Sequence, residues 1–330
     1  MISEYALDPA LVAGWHDLKE WALYREAFAD GRGRYGSMFP RQNGKKWRQY
    51  VFHRFRELFP EATPESQSWL RLDALLKQLS ERMVERIASD ARAVPWLEKV
   101  VEEHRARPFH GILSTQPAAG VPEVITPDML FGEHQPSAWK APQSSVIARN
   151  ALAFAQALAP LLTRCKEAVF VDPYFDPKEQ RFRNSLAAML QVLWGPSCCV
   201  SPPKCQLVVA EPPRGADGLL KDCQQRLPQI LPNGRSLRVT VLRKREGGEK
   251  IHNRYVLTLL AGVMFGTGLD VSHEGKTDES DDLCRLSGEQ LDKRWGQYVT
   301  APSSYFEIAA GPKDISSIRE TVSAPRVTGL

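Results

Sequence analysis

From residue 168 to residue 268 the chain alternates short apolar runs with longer stretches of helical spacing, and this alternation restricts the fold more than any other feature. Ala168-Val169-Phe170-Val171, Gln206-Leu207-Val208-Val209-Ala210 and Leu237-Arg238-Val239-Thr240-Val241-Leu242 read as strands. The segments between them, 180–194 and 217–227, carry apolar residues at helical spacing. Strands joined through helices run parallel, because a parallel crossover needs a dozen or more residues. The series closes with two β-branched and aromatic runs on either side of Ala261-Gly262, which read as an antiparallel ribbon. The expected class is therefore α/β, a mixed sheet flanked by helices. Residues 146–166, rich in alanine and leucine and apolar around most of the girth, read as a central helix.

The ribbon carries the chemistry. His252 and Arg254 are two residues apart in a strand, so their side chains share a face. Imidazole can attack phosphorus, and a guanidinium can hold a non-bridging oxygen through paired N–H groups. The pair therefore suits a phosphate. The loop after the first strand, Asp172-Pro173-Tyr174-Phe175-Asp176, leaves a strand C-terminus, where α/β sheets gather their sites. Asp172, Tyr174 and Asp176 are accordingly candidates to face His252.

His252-x-Arg254 followed by Gly266-Thr267-Gly268-Leu269-Asp270 resembles one divergent copy of the phospholipase D superfamily signature, His-x-Lys-x4-Asp and then Gly-Ser-x-Asn. His252 stands in the histidine position and Gly266-Thr267 in the Gly-Ser position. Arg254 replaces lysine with its charge kept, Leu259 stands where aspartate is expected, and Leu269 where asparagine is expected. The ending Gly268-Leu269-Asp270 is more similar still to the phospholipase D-like domain at the C-terminus of microtubule-interacting-and-transport (MIT) domain proteins. The resemblance implies a phospholipase D-like sheet over residues 143–330. Members of the MIT-protein branch are binding modules, so it supports the fold more than an activity. In the superfamily's enzymes one histidine forms a phosphohistidine, a second protonates the leaving group, and lysines neutralise the phosphate. That chemistry would fall to His252, Arg254 and Thr267. The sequence has no second His-x-Lys or His-x-Arg pair, so a catalytic version needs two protomers across a two-fold axis. A nucleophilic imidazole also needs an acceptor for its other nitrogen. Asp270, Asp172 and Glu211 all remain open for that role.

Ahead of this domain the chain reads as mainly helical over residues 1–116. Helical spacing runs from Leu11 to Asp30, from Lys45 to Phe59, over a long stripe of Leu72, Leu76, Leu79, Met83 and Ile87 behind Thr63-Pro64-Glu65, and from Trp96 to Arg105. Between Arg32 and Arg56 the charge is one-signed: Arg32, Arg34, Arg41, Lys45, Lys46, Arg48, Arg54 and Arg56, with no Asp or Glu. Tyr35, Phe39, Trp47, Tyr50, Phe52 and Phe55 are interleaved. Such a block is the usual electrostatic footprint of nucleic-acid binding. The proline-rich stretch 117–142 reads as a linker, and His110 and His134, near or in it, read as surface or hydrogen-bonded residues rather than catalysts.

A net charge of +4 on 330 residues says little by itself. Cys165, Cys198, Cys199, Cys205, Cys223 and Cys284 offer no C-x2-C pair and read as reduced structural thiols. The acidic run Asp278, Glu279, Asp281 and Asp282 lacks ligand spacing and reads as a solvated loop before a helix over 283–298. No metal or cofactor is expected. The start has no basic region leading into an apolar one, and no stretch is apolar enough to span a bilayer, which points to a soluble, cytoplasmic protein.

The expectation is a nucleic-acid-binding phospholipase D-like protein whose partner is DNA or RNA, acting as a homodimer or in a larger assembly. By fold-level analogy it would belong to a prokaryotic defence or mobile-element system. The alternative is a metal-independent nucleic-acid phosphodiesterase, a nuclease with His252 as covalent nucleophile. A third reading, from the MIT-protein likeness, is a phosphoinositide-binding membrane module, although no amphipathic membrane-surface helix supports it.

Overall fold

A computed structural model describes residues 2–28, 33–41, 44–86, 94–130, 134–195, 202–272 and 278–318. Gly31, Arg32, Ile87, Cys198 and Cys199 lie outside the described residues. In chain order the N-terminal half contains β1 (Ser3–Leu7), α1 (Pro9–Gly14), α2 (Leu18–Phe28), β2 (Arg34–Ser37), α3 (Gly44–Leu58), α4 (Gln67–Arg82), α5 (Trp96–Ala106), β3 (Gly111–Leu113), β4 (Val124–Ile125) and α6 (Pro127–Leu130). The C-terminal half contains β5 (Ser144–Ala148), α7 (Ala151–Leu162), β6 (Glu167–Val171), α8 (Gln180–Leu193), β7 (Lys204–Ala210), α9 (Ala216–Arg226), β8 (Ser236–Lys244), β9 (Arg254–Leu257), β10 (Gly262–Phe265), β11 (Ser280–Arg285), α10 (Gly288–Trp295), α11 (Pro302–Tyr305) and β12 (Phe306–Ser316).

The mixed α/β class expected from the sequence is the class observed. The C-terminal sheet has the order β12-β8-β7-β6-β9-β10-β11-β5. Its centre, β6, β7 and β8, is parallel, and β9 runs antiparallel to β6. One face is covered by α7, α8 and α9 through residues such as Phe154, Met189 and Leu219. The other meets α10 and the turn after it, through Leu286, Leu291 and Tyr298. Central strands buried on both faces are continuous apolar runs, which is why β6 to β9 are visible in the sequence.

The N-terminal half is rich in helices, and it also holds a parallel sheet, β2-β1-β3-β4, that the helical reading did not foresee. Tyr5, Ala6 and Leu7 of its central strand β1 are fully buried. The span 11–30 divides into α1 and α2. In α3, Trp47, Val51 and Phe55 recur at four-residue spacing and are fully buried, so this helix docks by its aromatic stripe. Ser66 caps α4, accepting from Trp69 N.

Within 117–142, Val124, Ile125, Leu130, Ala138 and Trp139 are buried. The stretch supplies β4 to the sheet, and Trp139 is only 4% exposed. The Arg34 guanidinium lies 4.4 Å from the Trp139 ring centroid, and its Nε and Nη2 donate to the Trp139 carbonyl.

Three other expectations change. Residues 144–148 form the edge strand β5 instead of beginning the helix, whose cap is Asn150, accepting from Ala153 N. Its Ser-Ser-Val-Ile-Ala sequence is partly exposed throughout and so carries no clear apolar period. The acidic run is not wholly a solvated loop, because Asp281 and Asp282 lie in β11, where Asp281 is 3% exposed. The helix that follows starts at Gly288, with a Ser287–Gln290 capping box, because 280–285 alternates in burial with period two. Among the described residues, no helix is long and apolar enough to cross a membrane.

Replacing Trp139 by Ala tests whether 117–142 is structural. It removes a buried indole and the surface on which Arg34 rests, so denaturant unfolding should show a loss of about 3–5 kcal/mol. A stability equal to that of the parent protein would restore the spacer reading.

Candidate functional site

The antiparallel insertion of β9 beside β6 builds the site. Val171 pairs with Tyr255 across one ladder, and Arg254 pairs with Phe265 across the other. The exit of β6, the entry of β9 and the exit of β10 therefore meet at one edge of the sheet. There the Tyr174 hydroxyl lies 2.9 Å from His252 Nδ1. The Arg254 guanidinium lies 4.6 Å from the centroid of the same tyrosine ring, within cation–π range. Arg254 Nε is buried and has no hydrogen-bond partner. His252 and Tyr174 are exposed, and Tyr174 is 47% so.

Beneath them Asp172 is 1% exposed. Its Oδ1 accepts from Tyr174 N and its Oδ2 from Leu269 N, both at 3.0 Å. One carboxylate thus fastens the loop after β6 to the loop after β10. Burial pushes the Asp172 carboxyl up to about 6, against the pull of the two N–H groups and of Arg254, with Asp270 adding to the rise.

The other candidates are engaged elsewhere. Asp270 Oδ2 is held by Arg149 Nη2 at 2.8 Å and Arg181 Nη1 at 2.7 Å. Glu211, at the end of β7, pairs with Arg243, Oε1 to Nη2 being 2.9 Å. Thr267 donates from its N and Oγ1 to Asp281 Oδ1, at 3.0 and 3.2 Å. Asp176 is bridged by both terminal nitrogens of Arg214. Of the three carboxylates left open for orienting His252, none is in its hydrogen bond. A neutral phenol takes that place.

Sequence reasoning named Tyr174 only as a residue that might face the site, and it missed Arg149, Arg181 and Asp281. These residues lie 121, 89 and 14 positions from the groups they hold. Only the period-two pattern of β11 offered a signal, and that only for Asp281.

The basic block divides in the same way. Arg34 is spent on Trp139, Arg48 pairs with Asp73 at 2.7 Å, and Arg54 pairs with Glu57 at 2.7 Å. Arg41, Lys45, Lys46 and Arg56 are exposed on and around α3. Arg41 and Lys46 line a shallow hollow with Tyr50 and His53, and Arg56 lies over the Trp69 ring. Arg32 lies outside the described residues. Among the described residues, no group of three His, Cys, Asp or Glu side chains is placed to hold a metal. Burial pushes the Cys223 thiol up to about 12 and raises Cys205 as well, which leaves both unreactive.

No family model matches the sequence, and neither does any curated protein. Among solved structures, the chain is similar over 75% of its length to 68% of TrmBL2, an archaeal chromatin protein described as showing a novel mode of DNA binding, at 10% identity and a TM-score of 0.23. It is also similar over 71% of its length to the polyphosphate kinase from Porphyromonas gingivalis, at 9% identity and a TM-score of 0.29, spanning 36% of that enzyme. At these TM-scores neither likeness identifies a family or a function.

The Asp172 carboxyl predicts a pH signature. The native state keeps that proton up to about 6, whereas an ordinary aspartate loses it near 3.8, so stability falls as pH rises through this window. Two units correspond to about 3 kcal/mol. The unfolding free energy of the protein minus that of Asp172→Asn, measured by denaturant titration, should drop by up to that amount between pH 3.8 and 6. A constant difference would mean that Asp172 does not titrate there.

Proposed function

We propose that the protein is a phospholipase D-like nucleic-acid-binding protein, in which Arg254 and His252 hold a backbone phosphate and the exposed cations of α3 add non-specific grip. The observation that carries this reading is the Arg254 guanidinium, fixed over Tyr174, beside His252, with a buried Nε that lacks an acceptor. An unsatisfied buried donor costs about 1–3 kcal/mol. A planar cation held in advance on an aromatic face suits a phosphate oxygen, which accepts from its remaining N–H groups. DNA or RNA is preferred to a single phosphate metabolite because further exposed cations lie on α3, whose Lys45 stands by the far end of β9, a separation from His252 that a long polyanion spans and one small phosphate does not. A homodimer, a larger assembly and a role in prokaryotic defence all belong to this reading.

Hydrolysis is the second reading. Tyr174 holds His252 Nδ1 and leaves Nε2 without a partner among the described residues, as a nucleophile requires. Against it, a phenol hydroxyl orients the ring but brings no negative charge to stabilise the imidazolium that attack or proton transfer would form.

Binding of labelled single- and double-stranded DNA and RNA at low salt in EDTA, scored for retention and cleavage, separates the two. Arg254→Ala should weaken retention by 1.5–3 kcal/mol, roughly ten- to a hundredfold. Arg254→Lys should also lose affinity, since an ammonium cannot replace the planar fork. Unchanged retention in both folded variants would end the phosphate assignment. Cleavage in EDTA that disappears in His252→Ala would replace binding with catalysis.

A further inference from the structure

At the other end of β9, roughly 20 Å from His252 along the strand, the two halves of the chain meet around a second cavity. Its volume is about 660 Å³, within the range of small-molecule sites and at a junction where such sites concentrate. The floor is apolar: Met83, Val84 and Cys165 are buried there, and Leu260 is half-buried. Leu259 lines the same cavity and is 67% exposed.

The exposure of Leu259 is built into the turn. Thr258 is fully buried, and its hydroxyl donates to the Ala261 carbonyl while accepting from Leu260 N and Ala261 N. Thr258 N also donates to the Ala261 carbonyl. Four hydrogen bonds fix a four-residue turn, and the turn holds a leucine toward water beside a cavity. A solvated turn would gain nothing from leucine at this position.

The walls add charge. Among the described residues, Lys45, Arg48, Arg164 and Lys166 line the cavity with the carboxylate of Glu85. Arg48 and Arg164 are braced by Asp73 and Glu4, outside the lining, at 2.7 and 3.1 Å. Arg48 Nε is buried without a hydrogen-bond partner. The Lys166–Glu85 pair is solvent-exposed on both sides, so Lys166 can be drawn to a ligand at little cost.

We infer that this cavity is a binding site for a small amphiphilic anion, with an aliphatic or aromatic body on the Met83–Cys165–Leu260 floor and one phosphate, sulfate or carboxylate head among the basic residues. Basic side chains on the walls, even with Asp73 and Glu4 behind two of them, disfavour a cationic head group. The volume is too small for a nucleic-acid strand, so the site is distinct in ligand class from the one at His252. Methionines let the floor adapt to the ligand body.

The test is calorimetric titration of the full chain with decyl phosphate, 1-naphthyl phosphate, decyltrimethylammonium and inorganic phosphate. One of the two organic phosphates should bind with 1:1 stoichiometry, while the ammonium amphiphile and inorganic phosphate bind at least tenfold more weakly. Ser80→Trp, which fills the cavity from α4, and Lys166→Glu, a surface change that folding tolerates, should each weaken that binding at least tenfold. Lys166→Glu decides the matter if Ser80→Trp fails to fold. Absence of binding by both organic phosphates, or equal binding of the ammonium amphiphile, would overturn the inference. So would binding that survives Lys166→Glu but is lost in Arg254→Ala, since the ligand would then occupy the other site.

Discussion

The polar end of the C-terminal sheet depends on the buried carboxylate of Asp172. Two backbone N–H groups from segments 97 residues apart, those of Tyr174 and Leu269, end on its two oxygens. Without that acceptor both donors would be left unsatisfied at a strand terminus, each at a cost comparable to a lost hydrogen bond. The bond to Tyr174 N turns the chain at Pro173 and sends the phenol back across the β6–β9 ladder, where it meets His252 and carries Arg254. A single interaction therefore sets the loop, the tyrosine and through it the side chains of His252 and Arg254. The same burial works against the carboxylate, which is why its proton is held so far above the usual range.

Around this anchor the charges are arranged in closed sets. Asp270 is shared by two arginines, Asp176 by both arms of Arg214, and Glu211 by Arg243. Each of these carboxylates is thereby occupied. Asp172, whose proton the Arg254 charge helps to loosen, is divided between two backbone donors. Among the described residues the hydrogen-bond partner of His252 Nδ1 is the Tyr174 hydroxyl and not a carboxylate.

How much of this is legible in the sequence depends on how far apart the partners lie. Strands buried on both faces, β6 to β9, announce themselves by composition, and so do the aromatic stripe of α3 and the leucines of α4. β1, β5 and β12 are not announced. The first carries Ser3 and Glu4 and so is no continuous apolar run, and the other two are sheet edges exposed on at least one side, where apolar pattern is weak. His252 and Arg254 could be read because their relation is local, two residues along one strand. The fates of Arg34 and Arg48 could not, since Trp139 and Asp73 lie 105 and 25 residues away. A run of like charges gives the number of cations and nothing about which are already spent.

The β9–β10 ribbon joins the two candidate sites, one at each end. Its four-residue strand β9 is hydrogen-bonded on both sides, to β6 and to β10, in the middle of an eight-stranded sheet. Moving Leu259 by a displacement large enough to alter His252 would require both ladders to slip, and a one-residue slip would turn Tyr255 and Leu257, buried on the α10 face, toward the opposite face. The sheet is therefore a rigid spacer between the sites. Binding free energies at the two ends of β9 should add, because the element connecting them has one arrangement and not two.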